Sequence, residues 1–256
     1  MDRTSEILAA LCPPQLGRSC ALGSNDASVI LVFVAACALF SLAHFVFLPK
    51  LWVPAFRKRG LEEEAAVVAA GVTRKVGGGL VLGFGGAAVL LAVGDDPLRS
   101  GLLGTDVSRF TMVTGVGLLT IVPGALLSAL GKQSWAFYPE IRVATWPRNV
   151  AIASALGWTA YLIGFEFFFR GFLLFYLAQV YGVGAALAMT TALYTLAHLP
   201  TNGPETAICI PMGFVFGAMA LYTGTMWAPF IVHLVVAVGT ETVSAYRNPQ
   251  VRWSWS

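Results

Sequence analysis

The chain has 256 residues, 57% of them hydrophobic and 11% charged, and its mean hydropathy is +0.75. Soluble domains carry about 25% charged residues, so the composition excludes a soluble globular protein and leaves little chain for a soluble domain. Net charge is only +3, and the basic residues sit in short segments between apolar runs, which argues against a nucleic-acid partner.

About 20 apolar residues cross a bilayer. In chain order the apolar runs predict an all-α polytopic membrane bundle of about seven transmembrane helices, at roughly 28–48, 76–94, 110–131, 149–178, 183–199, 206–223 and 226–245. Residues 1–27 read as an external polar segment holding Cys12 and Cys20, which form either a disulfide or two free thiols. No charged stretch leads into a small-residue cleavage site, so no signal peptide is read. Cys37 and Cys209 fall in apolar runs and read as small buried hydrophobes. His44, in the first run, reads as structural.

Residues 28–131 form a three-span region. Its glycines (Gly77, Gly78, Gly79, Gly83, Gly85 and Gly86) permit close helix approach. Residues 132–148 mix tryptophan, tyrosine and basic residues and read as an interfacial anchor. A four-span core is expected over 149–245 and a cytoplasmic tail over 246–256. The loop read after span one holds Lys50, Arg57, Lys58, Arg59, Arg74 and Lys75; the loop after span three holds Lys132, Arg142 and Arg148; the tail holds Arg247 and Arg252. Arg3, Arg18, Arg99 and Arg109 fall on the other side. The positive-inside rule then puts the N-terminus outside and the C-terminus in the cytoplasm.

Within the core, Glu166 and Arg170 interrupt an apolar stretch from Trp158 to Tyr176. Four residues apart on a helix, they share a face and can pair. Ionisable residues inside a span are costly and by default functional; a structural ion pair is the competing reading. His198, near a span end, reads either as an interfacial residue or as a catalyst. His233 lies well inside the last span and reads either as functional or as hydrogen-bonded to a neighbouring helix. Together, a carboxylate and two histidines on separate spans suit activation of a water by Glu and His, with the second His polarising a carbonyl. A zinc ion held by Glu166, His198 and His233 is the alternative, but the HExxH spacing of soluble zinc proteases is absent, so no cofactor is expected.

The ordered set Glu166-Phe-Phe-Phe-Arg170-Gly171, Tyr194-x-x-x-His198 and His233, with the Gly213–His233 run between, resembles the CPBP (Abi) family of intramembrane proteases. That family includes CAAX prenyl endopeptidases and bacteriocin-processing and immunity proteins. The resemblance covers about 145–245. It implies an integral protein of a bacterial cytoplasmic membrane that cleaves a membrane-anchored protein or peptide, including C-terminally anchored or lipidated ones. Glu166, His198 and His233 would be catalytic, with Arg170 and Tyr194 supporting. The family's first motif has two adjacent glutamates, and Phe165 stands at the first. Its third motif places Asn or Asp four residues after the histidine, where this chain has Ala237; Thr240 and Glu241, two turns on, are candidate substitutes, as is Asn202. For Glu166 to take over from a residue at 165, span four must be rotated or carry a π-bulge, because helix neighbours differ by about 100°. Two other classes stand beside the protease: a non-catalytic relative that binds a peptide or partner, and a proton-coupled transporter, which usually shows an internal repeat that is not seen here.

Overall fold

The computed structural model describes residues 26–104, 106–198 and 203–254. Cys12, Cys20 and Asn202 lie outside the described residues. The helices are α1 (Asp26–Phe45), α2 (Pro49–Lys58), α3 (Glu63–Ala92), α4 (Val107–Ala129), α5 (Arg148–Glu166), α6 (Leu174–Tyr181), α7 (Val183–Ala197), α8 (Gly203–Thr223) and α9 (Trp227–Arg247). A 3-10 turn (Lys132–Ala136) follows α4, and a π-helical segment (Phe167–Leu173) joins α5 to α6. Strands β1 (Thr145–Pro147) and β2 (Arg252–Ser254) pair in parallel.

This is an all-α polytopic membrane protein. Six stretches are long and apolar enough to cross a bilayer: α1, α3, α4, the continuous run 148–181, α8 and α9. The expected span at 183–199 is shorter, because α7 has 15 residues and stops at His198. That is about 22 Å of helix at 1.5 Å per residue, against a hydrocarbon core of about 30 Å. Large apolar side chains that stay exposed, such as Phe84, Leu119 and Ile30, suit lipid rather than water. Cys37 is exposed too, contrary to its reading as a buried hydrophobe; Cys209 is buried as expected.

The segment after span one is not a loop. Helix α2 occupies 49–58, and α3 begins at Glu63. Glu63 and Glu64 sit in the first turn of α3, where the helix dipole favours carboxylates, and Arg57 Nη1 reaches Glu63 Oε2 at 2.8 Å. Arg74 and Lys75 therefore lie inside a helix, and the basic loop loses two members. The charges between Glu62 and Lys75 had masked a continuous helix whose apolar residues start at Ala65.

The chain divides into two compact units. One comprises the described residues to Ala35, Gly86–Val116 and Glu166–Ile231; the other comprises Ala36–Gly85, Gly117–Phe165 and Val232 onward. In the first unit the π-helical segment is fully buried, with Phe168, Phe169 and Phe172 in the core. The loop after α3 is fastened at Gly101, whose carbonyl accepts from Met226 N–H and Thr225 Oγ1, each at 2.9 Å. Gly101 has φ +79°, and a Cβ there would press on the Phe175 ring, so glycine is required on both counts.

In the second unit α3 and α5 meet backbone to backbone. A Cβ on Gly79 would strike the Ala160 carbonyl, and one on Gly164 would strike the Gly79 carbonyl. Small residues at such a crossing allow close packing in lipid. Gly79→Val is expected to force these helices apart and lower the yield of folded protein several-fold, whereas Gly124→Val, with open space around it, is expected to leave it unchanged; equal yields measured by fluorescence-detected chromatography would contradict the crossing.

The segment 132–148 contributes to a buried cluster. Trp146 is 1% exposed and packs with Ile141, Val143, Val150 and Ala245. Residues 252–254 of the tail pair with β1.

Candidate active site

The first unit holds Glu166, Arg170, Tyr194 and His198. Glu166 closes the α-helical part of span four, and the turn widens directly after it: Leu174 N–H donates to the Phe169 carbonyl, five residues back. The Glu166 side chain is fully buried, and Arg170 Nη1 donates to Oε1 at 3.1 Å. Arg170 is buried as well, with its guanidinium carbon 4.3 Å from the Tyr194 ring centroid and 5.5 Å from that of Phe216. Such desolvated cation–π contacts add to the ion pair.

Tyr194 links the pair to the histidine. Its ring centroid lies 4.5 Å from that of His198, and its carbonyl is 2.9 Å from His198 Nδ1. A carbonyl only accepts, so Nδ1 carries the proton and Nε2 is the basic nitrogen. His198 ends α7, and its own carbonyl accepts from Thr206 Oγ1 at 2.9 Å. Close approach of α8 is allowed by Gly213, whose Cβ would touch the Tyr194 ring.

The second unit holds Phe165, His233, Ala237, Thr240 and Glu241. His233 is half-buried, and the Phe165 ring meets it edge-on, with centroids 6.0 Å apart and planes at 73°. Tyr161 also packs on Phe165, with ring centroids 5.4 Å apart. The methyl of Ala237 is buried, and Thr240 is half-buried.

Glu241 is engaged elsewhere. It is 2% exposed and accepts from Ser154 Oγ at 2.9 Å, Lys75 Nζ at 3.4 Å and the Glu140 N–H at 3.1 Å. Lys75 also faces the Glu140 carboxylate at 3.5 Å and the Trp158 ring at 4.5 Å. Gly157 leaves room for the lysine stem. Lys75, Ser154 and Glu140 escaped the sequence reading, Lys75 because it was assigned to a loop. Among the described residues no three His, Cys, Asp or Glu side chains form a group able to hold a metal ion.

Residues 147–238 match the family model described as type II CAAX prenyl endopeptidase Rce1-like. This C-terminal region is similar to the CAAX-type intramembrane protease family. No curated protein and no solved structure matches the chain. The CAAX-type region contains Glu166, Arg170, Tyr194, His198 and His233, and it ends before Thr240 and Glu241. It supports a function of the CAAX-type intramembrane protease kind.

Proposed function

We propose that the chain is an endopeptidase that cuts a membrane-anchored protein or peptide near its embedded end, including C-terminally anchored or lipidated substrates. His198 Nε2 takes a proton from water while the water oxygen adds to the scissile carbonyl carbon. Glu166 serves as the base or as its orienting partner, held by Arg170 and the Tyr194 ring. His233 donates to the developing oxyanion, with Thr240 a candidate second donor. When the C–N bond breaks, the proton passes to the leaving amine. No step draws on a metal, so cleavage is expected to persist in a chelator. The observation that carries this reading is the Glu166–Arg170–Tyr194–His198 chain of contacts, which lies wholly within the region matched to a family of endopeptidases.

The second reading is a non-cleaving relative that binds the peptide. The Phe165–His233 contact favours it, because a phenyl ring occupies the position of the family's first glutamate. Cleavage of a membrane-anchored peptide by purified wild type and Phe165→Glu separates the two. The protease reading expects wild-type cleavage, unchanged or reduced in Phe165→Glu, where a charge enters an apolar contact. Cleavage by Phe165→Glu alone would establish the second reading.

The proposed setting is a bacterial cytoplasmic membrane with the C-terminus inside. After Arg74 and Lys75 are removed from the count, seven of the basic residues on the cytoplasmic side lie outside the spans, Arg148 and Arg247 stand at span ends, and the charge asymmetry persists. A reporter fused after Ser256 is expected to be active only in its cytoplasmic form; activity only outside the cell would reverse the orientation.

A further inference from the structure

In the second unit α1, α3 and α5 enclose a cavity of about 20 Å³ lined by Phe40, Ala43, His44, Arg74, Leu82 and Tyr161. That admits one water-sized guest. Among the described residues, the Arg74 guanidinium, the His44 ring nitrogens and the Tyr161 hydroxyl have no protein hydrogen bond or ion pair. Three residues whose side chains can donate thus line one small space between apolar helices. An arginine there without a carboxylate is costly, and the nearby acid, Glu140, is turned to Lys75 at 3.5 Å.

The level of the cavity identifies its guest. His44 lies in the last turn of α1, and α2 follows at once with no buried residue and with Lys50, Arg57 and Lys58 on it. Trp52 stacks on Phe47 and donates through Nε1 to the Val46 carbonyl at 2.9 Å. An amphipathic helix with aromatic and basic residues marks the headgroup layer. A Cβ on Gly77 would meet the Phe47 ring, so α3 passes at that level close to Arg74.

We propose that Arg74, His44 and Tyr161 form a lipid site that receives a phosphate oxygen of an anionic phospholipid headgroup. One oxygen fills the cavity, and the rest of the headgroup stays in the interfacial layer. Arg74 supplies charge-assisted hydrogen bonds, and Tyr161 and His44 each supply one neutral donor. Basic pockets between transmembrane helices bind lipid headgroups in this way. The site contains none of the residues proposed for cleavage.

The test uses the full-length protein purified in detergent and the rise of its melting temperature with added ligand. Dihexanoyl-phosphatidylglycerol is expected to give a saturable rise, whereas inorganic phosphate and dihexanoylglycerol at the same concentration are not. Arg74→Gln is expected to weaken the phosphatidylglycerol affinity about tenfold, and Lys58→Gln, on the exposed helix, to leave it unchanged. Tyr161→Phe removes only a hydroxyl and is expected to weaken it about threefold; it serves if Arg74→Gln does not fold. An equal shift from inorganic phosphate would make this a free-anion site, and an equal shift from dihexanoylglycerol a purely apolar one. Either result overturns the proposal, as does unaltered affinity in Arg74→Gln or in Tyr161→Phe.

Discussion

His198→Ala is expected to lower the rate of peptide cleavage by about two to four orders of magnitude, the usual contribution of a positioned general base. The Tyr194 carbonyl fixes the tautomer through Nδ1 at 2.9 Å, which leaves Nε2 as the basic nitrogen. Because the lock is a backbone group, Tyr194→Phe keeps it and is expected to cost far less than His198→Ala. Glu166→Gln is expected to cost as much as His198→Ala, and the double variant no more than either alone, because members of one catalytic unit are non-additive. Glu166→Gln also leaves the Arg170 charge buried without its partner, a loss of about 3–5 kcal/mol, so protein level falls with it. Glu166→Gln combined with Arg170→Leu is expected to restore level but not cleavage. The assay is hydrolysis of a membrane-anchored peptide by matched amounts of folded protein. Cleavage that survives Glu166→Gln would remove Glu166 from the base role, and losses that simply add would show that Glu166 and His198 do not work as a unit.

Helix positions were legible where the physics is local. Runs of apolar residues set α1, α4, α8 and α9 within a few residues of their observed bounds, because the bilayer demands length and apolarity and little else. The Glu166–Arg170 pair followed from its four-residue spacing, which the fold keeps at 3.1 Å even though the segment between them is π-helical. What was not legible depends on contacts distant in sequence. Lys75 and Glu241 are separated by 166 positions; Lys75 reads as part of a basic loop and Glu241 as a candidate site residue near His233, and only the tertiary fold brings them together. The same holds for Trp146, whose burial against Ile141 and Ala245 depends on residues up to 99 positions away. The edge-on contact of Phe165 with His233 joins residues on two helices; the motif comparison located the substitution at 165 but not what its side chain touches.

Lys75→Met is expected to be among the most destabilising single substitutions in the chain, because it strands Glu241. That carboxylate is 2% exposed, and breaking a buried pair by removing one partner costs about 3–5 kcal/mol. Glu241→Gln is expected to be less harmful, since Lys75 keeps the Glu140 carboxylate at 3.5 Å. The double variant Lys75→Met with Glu241→Gln is expected to recover most of the loss: a glutamine carbonyl still accepts from Ser154 Oγ, and the lysine stem that passes Gly157 is replaced by an apolar chain of similar length. Thermal unfolding of the three purified variants checks this, and a double variant as unstable as the sum of the singles would show that the charges are not coupled. The consequence reaches His233. Ser154 meets Glu241 at one end of the α5–α9 contact, and Phe165 meets His233 at the other. The two helices therefore run antiparallel, with 154 opposite 241 and 165 opposite 233. The polar cluster fixes the rotation and axial register of α9, and through it the seat of His233 about 12 Å further along the helix. Single variants assayed well below their melting temperature are accordingly expected to lose turnover as well as stability, and the double variant to regain both.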